Sequence, residues 1–331
     1  MTWLIGILAL LGILLGSELF TNALEHLGEY YGLSEGAVGS IFAAVGTALP
    51  EAMVPIIALF SANVASVGQA VSVGAILGAP LMISTLSFGV LGLFTLVQRR
   101  PRKSLKPAPD GLTRDLVWFQ ALFATAALAL FIPAEDHALR IVASLILVAG
   151  YIAYVMVTLR MSGKLTEAGQ GVNTDNKLYT SRLWGQGIVQ IYLQVLLGII
   201  VIVWAAHVFV NAVEALASSL HVPVLVLSLL LVPVATELPE KINSLLWAKQ
   251  GKDTLAIGNL SGALVFQGSL LPALGLWLTS WRPNREILYA IIITLIAVSW
   301  LHLVNRRGGL NPVWLLVNAG FYITYFYFLT N

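Results

Sequence analysis

At 331 residues the chain is 58% hydrophobic and only 10% charged, with a mean hydropathy of +0.86. A soluble domain carries about 25% charged residues, so this composition argues against a globular enzyme or nucleic-acid binder and predicts a polytopic protein dissolved in lipid. The net charge of +2 specifies no partner beyond the lipid bilayer, and the lack of cysteine removes disulfides, thiolate metal sites and redox switching.

Apolar runs near the roughly 20 residues of a spanning helix recur along the length. In chain order, spans are predicted at about 3–25, 36–60, 66–97, 115–133, 138–160, 186–217, 222–249, 254–279, 285–304 and 311–329. The N-terminus lacks a basic flank, so the first span is expected to be retained rather than cleaved as a signal peptide.

Positive charge is placed unevenly between these spans. Arg99, Arg100, Arg102, Lys103, Lys106 and Arg114 lie between spans three and four, and Arg160, Lys164, Lys177 and Arg182 flank the loop after span five. Lys249 and Lys252 follow span seven, and Arg306 and Arg307 follow span nine. These fourteen fall on one side, against Arg140, Arg282 and Arg285 on the other. The positive-inside rule makes the richer side cytoplasmic. A multi-pass cell-membrane protein with both termini extracytoplasmic is expected.

A short acidic phrase occurs twice in this apolar background. It reads Gly46-Thr47-Ala48-Leu49-Pro50-Glu51 and, 189 residues later, Ala235-Thr236-Glu237-Leu238-Pro239-Glu240. The offset holds upstream without a gap: 18–51 and 207–240 share 10 identities in 34 positions, among them Phe20/Phe209, Asn22/Asn211 and Glu25/Glu214. Downstream, Gly74 and Gly78 align with Gly258 and Gly262 at an offset of 184. Five spans separate equivalent positions, and an odd number reverses direction across the membrane, which is the inverted-repeat plan of secondary transporters. The expected architecture is an all-α membrane protein of ten transmembrane helices in two inverted five-helix repeats. The first occupies 1–160, a polar cytoplasmic linker 161–185, and the second 186–331.

A carboxylate in a spanning segment costs about 2.5–3.5 kcal/mol on insertion scales and marks a functional site by default. Pro50 and Pro239 lack N–H groups, so within helices they free the carbonyls of Gly46 and Ala235. Thr47 and Thr236 add further oxygens one turn from the glutamates. Carboxylates mixed with carbonyls suit Ca²⁺, which takes six to eight oxygen ligands, better than softer metals. Glu237 shares a helix face with Glu240, and Lys241, four residues on from Glu237, is placed to neutralise it. Glu18 and His207, at equivalent positions, read as polar packing at a helix interface or as a proton-sensitive pair. Each pair of glycines forms a small-xxx-small pattern suited to close helix packing.

At these residues the chain resembles the sodium/calcium exchanger family, whose phrase G-T-S-L-P-E is followed one helix later by G-S-N-[IL]-F-[ND]. The resemblance covers both repeats. It implies alternating access, with the first and sixth helices sliding against the other eight, and cations held between the second, third, seventh and eighth. Glu51 and Glu240 would be the central ligands. The departures are Ala48 and Glu237 at the family's Ser, and Ile83 and Gln267 at its Asn/Asp pair. Ser84, Asn259 and Ser269 are further polar groups of the pocket.

The expected function is therefore secondary active antiport of Ca²⁺ or a similar divalent cation against Na⁺, with the ions as cargo and no cofactor or obligatory protein partner. The expected ligand set is Glu51, Glu240, Glu237, Thr47, Thr236 and Gln267 with the carbonyls of Gly46 and Ala235. The alternatives are H⁺-coupled divalent antiport and, in another class, a non-transporting membrane cation sensor. An intramembrane enzyme is disfavoured: every Asp lies in a loop or at a span edge, and no His-Glu-x-x-His or P-loop occurs.

Overall fold

A computed structural model describes residues 2–32, 49–61, 65–98, 104–167, 177–181, 185, 187–220, 223–307 and 310–330. In chain order the helices are α1 (Thr2–Tyr30), α2 (Leu49–Ser61), α3 (Ala65–Met82), α4 (Phe88–Gln98), α5 (Pro109–Leu128) and α6 (His137–Glu167). They continue with α7 (Ile188–Leu220), α8 (Val224–Thr236), α9 (Leu238–Gln250), α10 (Asp253–Gln267), α11 (Leu270–Leu278), α12 (Arg285–Asn305) and α13 (Pro312–Thr330). A π-helical turn, Ile83–Ser87, joins α3 to α4.

Among the described residues, eight helical segments are long and apolar enough to cross a membrane, and Glu51–Phe60 is a shorter apolar helix. The eight coincide with eight of the predicted spans, while the second predicted span lies only partly within the described residues. The seventh is divided at Glu237 into two helices of 13 residues. At 1.5 Å per residue each half reaches about 20 Å, short of the roughly 30 Å hydrocarbon core. Helix α6 runs on to Glu167, so the first residues of the polar linker continue a helix.

The first half of α1, up to Gly16, is apolar around its circumference, and the two faces do different work. Ala9, Ile13 and Phe20 are buried, whereas Leu4, Leu8, Leu11 and Leu15 are exposed in a stripe suited to lipid. The buried face packs along α7. A Cβ on Gly12 would lie 2.9 Å from Ala205 Cβ, and one on Gly198 would lie 2.9 Å from the Gly16 carbonyl oxygen. Asn22 meets Gln194, and Tyr31 meets Tyr192. Contacts descend α7 as they ascend α1, so the two helices are antiparallel.

Helices α3 and α10 form the centre. Every residue from Leu255 to Gln267 is buried, as is nearly all of 71–89. α3 lies against α8 where Pro233 removes the hydrogen-bond donor for the Leu229 carbonyl. Gly78 leaves room for that carbonyl: a Cβ there would sit 2.6 Å from Leu229 O and 2.6 Å from Pro233 Cγ. The small-xxx-small reading of Gly74 and Gly78 thus corresponds to backbone-close packing on α8. Elsewhere α4 packs on α13 and α11 on α6, while α3 touches α12 and α10 touches α5.

Loops gather at two ends. At one, Lys106 N donates to Asp253 at 2.8 Å, Asn305 donates to Thr113 at 2.9 Å, and Leu105 pairs with Leu310. At the other, Arg282 meets Glu135 at 3.2 Å and Arg140 donates to the Thr279 carbonyl at 2.8 Å. The sets of loops that carry opposite ends of the charge bias are therefore spatially separate.

Candidate cation site

The two acidic phrases fold alike where both are described. Leu49-Pro50-Glu51 is helical in α2 and Leu238-Pro239-Glu240 opens α9, positions related by the 189-residue offset. Proline fits here because its missing N–H falls among the first-turn donors that have no helical acceptor. Glu51 lies in the first turn of α2, where the positive end of the helix dipole favours a carboxylate. Its side chain is 1% exposed. Glu240 is the third residue of α9, with its side chain outside the described residues.

Glu237 stands at the break itself, with φ −84° and ψ 3°, and is wholly buried. Its N–H donates to Pro233 O at 3.0 Å and its carbonyl accepts from Lys241 N at 3.1 Å, so the backbone turns without leaving these groups open. The carboxylate Oε2 accepts from Ser87 Oγ at 3.3 Å and lies 3.3 Å from Lys241 Nζ. Thr236 is buried, and its hydroxyl donates back to Val232 O at 3.0 Å. Because Pro239 has no N–H, the Ala235 carbonyl lacks the donor that an unbroken helix would supply.

The third and eighth apolar segments are also interrupted, at positions that the 184-residue sequence offset aligns. The π-turn starts at Ile83, and α10 ends at its counterpart Gln267, ahead of the irregular Gly268 and Ser269. π-bulges concentrate at functional sites because they displace backbone groups from the helical ladder. Here Asn318 from α13 donates to the Ser84 carbonyl at 2.7 Å and to Ala297 O at 3.2 Å, supplying a partner at the bulge. Ser84 and Ser269 hydroxyls bond to their own helices. Gln267 is fully buried, and neither its amide nitrogen nor its amide oxygen has a hydrogen-bond partner among the described residues. A buried amide left so costs about 1–3 kcal/mol, which suits a group kept for a ligand or water. α10 packs on the π-turn and on α9, so these interruptions share one region.

Of the sequence-derived ligand set, Glu51, Glu237, Thr236 and Gln267 are all buried, while Gly46 and Thr47 lie outside the described residues. Ala235 is described in its backbone alone. Asn259 lies beside α9, donating to Ser244 at 3.1 Å. Glu18 is exposed and accepts from the Tyr179 hydroxyl at 2.6 Å, so its recorded partner is the linker rather than His207. Ser87 and Asn318 were not singled out by sequence. Ser87 has Leu271 as its repeat counterpart, and a lone Asn in the tenth apolar run carries no spacing signal. Asp115, placed at a span edge from sequence, is fully buried and bound by Arg114, Tyr154 and Ser261.

The family model for "Sodium/calcium exchanger protein" matches residues 1–160 and 191–331, most of the chain. This protein belongs to the sodium/calcium exchanger family. The exchanger is 23% identical over 297 residues to an uncharacterized membrane protein of Methanocaldococcus jannaschii, covering 87% of this chain and 86% of the relative. Among solved structures it resembles the sodium-calcium exchanger NCX_Mj soaked with 100 mM Na⁺ and 10 mM Sr²⁺, with a TM-score of 0.64 at 18% identity over 98% of both chains. The same protein soaked with 2.5 mM Na⁺ and 0.1 mM Ca²⁺ gives 0.62 at 18% identity, over 97% of this chain and 95% of that one. The exchanger thus shares the NCX_Mj fold and is an all-α, multi-pass membrane protein.

Proposed function

We propose that this exchanger is a secondary active antiporter that moves Ca²⁺ or a similar divalent cation against Na⁺ by alternating access, with Glu51 and Glu240 as central ligands. The observation that carries the reading is the pair of Leu-Pro-Glu sequences ending the two acidic phrases, each helical within an apolar segment, with Glu51 and the neighbouring Glu237 buried. Glu237, Thr47, Thr236, Gln267 and the carbonyls of Gly46 and Ala235 complete the proposed ligand set. The unpartnered Gln267 amide supports its inclusion.

Two inverted five-helix repeats in a ten-helix layout, 1–160 and 186–331, are part of the same proposal. The antiparallel course of α1 and α7 supports it, because these are the helices that the 189-residue offset makes equivalent. The reciprocal pairing of α4 with α13 and α11 with α6 supports it again. With the basic loops cytoplasmic, both termini lie outside the cell membrane.

Divalent uptake into proteoliposomes, driven by an imposed Na⁺ gradient or by an imposed pH gradient, tests the coupling. Uptake driven by Na⁺ supports the proposal, whereas uptake driven by pH alone replaces Na⁺ with H⁺. Glu51→Gln and Glu240→Gln should each abolish exchange. Cation binding without flux in the unmodified protein would make it a sensor rather than a carrier.

A further inference from the structure

Fourteen of the eighteen lysines and arginines lie on the basic side and three on the other, which leaves Lys241 inside the seventh apolar segment. It is the fourth residue of α9, its side chain is 10% exposed, and its Nζ lies 3.3 Å from Oε2 of the fully buried Glu237. Ser87 donates to the same carboxylate oxygen. A buried ammonium without a partner is strongly unfavourable, and so is a buried carboxylate, so each provides the counter-charge of the other. The i,i+4 spacing places both on one face across the break, where no large rearrangement is needed for them to meet.

We propose that the Lys241 ammonium is a tethered cation, which occupies the Glu237 end of the site in place of one mobile monovalent ion. The inference rests on the antiport reading for the identity of the site and deepens it by assigning its charge balance. On that reading Glu51, Glu237 and Glu240 contribute three negative charges to the site, and Lys241 leaves two uncompensated. One divalent ion neutralises two charges, and so do two monovalent ions. The loaded carrier then has the same charge with either cargo, so exchange is electroneutral. With no lysine, the third carboxylate would call for a further mobile cation.

Equilibrium binding of radioactive Na⁺ to the purified full chain, beside divalent flux in proteoliposomes under a clamped membrane potential, tests this. Lys241→Gln should bind one more Na⁺ per chain than the unmodified protein, and its flux should become sensitive to potential. Equal Na⁺ binding in the two proteins, or potential-dependent flux in the unmodified one, overturns the assignment. Glu237→Gln combined with Lys241→Gln removes both charges together, which guards against a single variant that does not fold. The double variant should return to the unmodified Na⁺ count, and a different count overturns the assignment as well. Absent flux in the unmodified protein would instead defeat the antiport reading, while the binding counts would still decide the role of Lys241.

Discussion

The hydroxyl of Ser87 donates to the carboxylate of Glu237 across 3.3 Å, linking the π-turn in the third apolar segment to the break in the seventh. The two residues are 150 positions apart, and both are buried. Two helix interruptions are thus joined by one polar contact. Hydrogen bonds to charged groups contribute about 1.5–3 kcal/mol. Ser87→Ala should lower stability by about that amount in thermal unfolding of the detergent-solubilised protein, and should weaken divalent binding. Ser87→Thr, which keeps the hydroxyl, should recover most of both.

Gly78 is required by the approach of α3 to α8. A methyl group there would sit 2.6 Å from the Leu229 carbonyl oxygen and from the Pro233 ring, and neither is the flexible end of a side chain. Overpacking of this kind costs about 1–3 kcal/mol. Gly78→Ala should lower the midpoint of thermal unfolding, whereas Gly111→Ala, where a Cβ meets nothing within 4 Å, should leave it nearly unchanged.

Asp115 ties three helices together. Its Oδ1 accepts from Arg114 at 2.8 Å and Tyr154 at 3.0 Å, and its Oδ2 accepts from Ser261 at 2.6 Å. Removing one member of a buried ion pair costs about 3–5 kcal/mol, because the remaining charge loses its partner. Asp115→Asn should show a loss of that order in unfolding measurements. Adding Arg114→Leu should restore part of it, and no recovery would refute the pairing argument.

Tyr179 sits in the linker beside α1, outside the spanning segments. Burial, and then its hydrogen bond to Glu18, push the phenol above its ordinary value near 10. The unfolded chain therefore loses this proton before the folded one does. The contribution to stability is fully present below pH 10, and it is lost as pH rises from there through the folded value. Tyr179→Phe should flatten the alkaline limb of a stability–pH curve. An unchanged limb would show that the phenol has no part in it.

The acidic phrases, their offset and the apolar runs were all readable in the sequence, since lipid imposes strong composition and length rules. The helical setting of Leu49-Pro50-Glu51 and Leu238-Pro239-Glu240 follows from the same signals. Glu237 was visible as a carboxylate in an apolar run, and Lys241 as its neighbour one turn on. What spacing could not decide was whether the lysine turned to that carboxylate. That depended on the break at 237, which brings Ser87 and Lys241 to the same oxygen. The π-turn leaves no mark on the sequence because the hydroxyls of Ile83-Ser84-Thr85-Leu86-Ser87 can bond back to helix carbonyls, so the stretch reads as ordinary helix. Helices buried on every side show no periodicity from which a register shift could be seen.

By itself, the sequence determined that the chain is an all-α membrane protein and that carboxylates lie within its apolar segments. Those properties are local: each follows from the cost of polar or charged groups in a run that must cross lipid. Which helix meets which was decided only in the tertiary structure, as was the place where α3 and α8 touch backbone to backbone. So were the partners of Glu237. Such choices depend on contacts between residues far apart in the chain, where lipid tails and neighbouring helices are equally apolar and hydrophobicity alone does not discriminate.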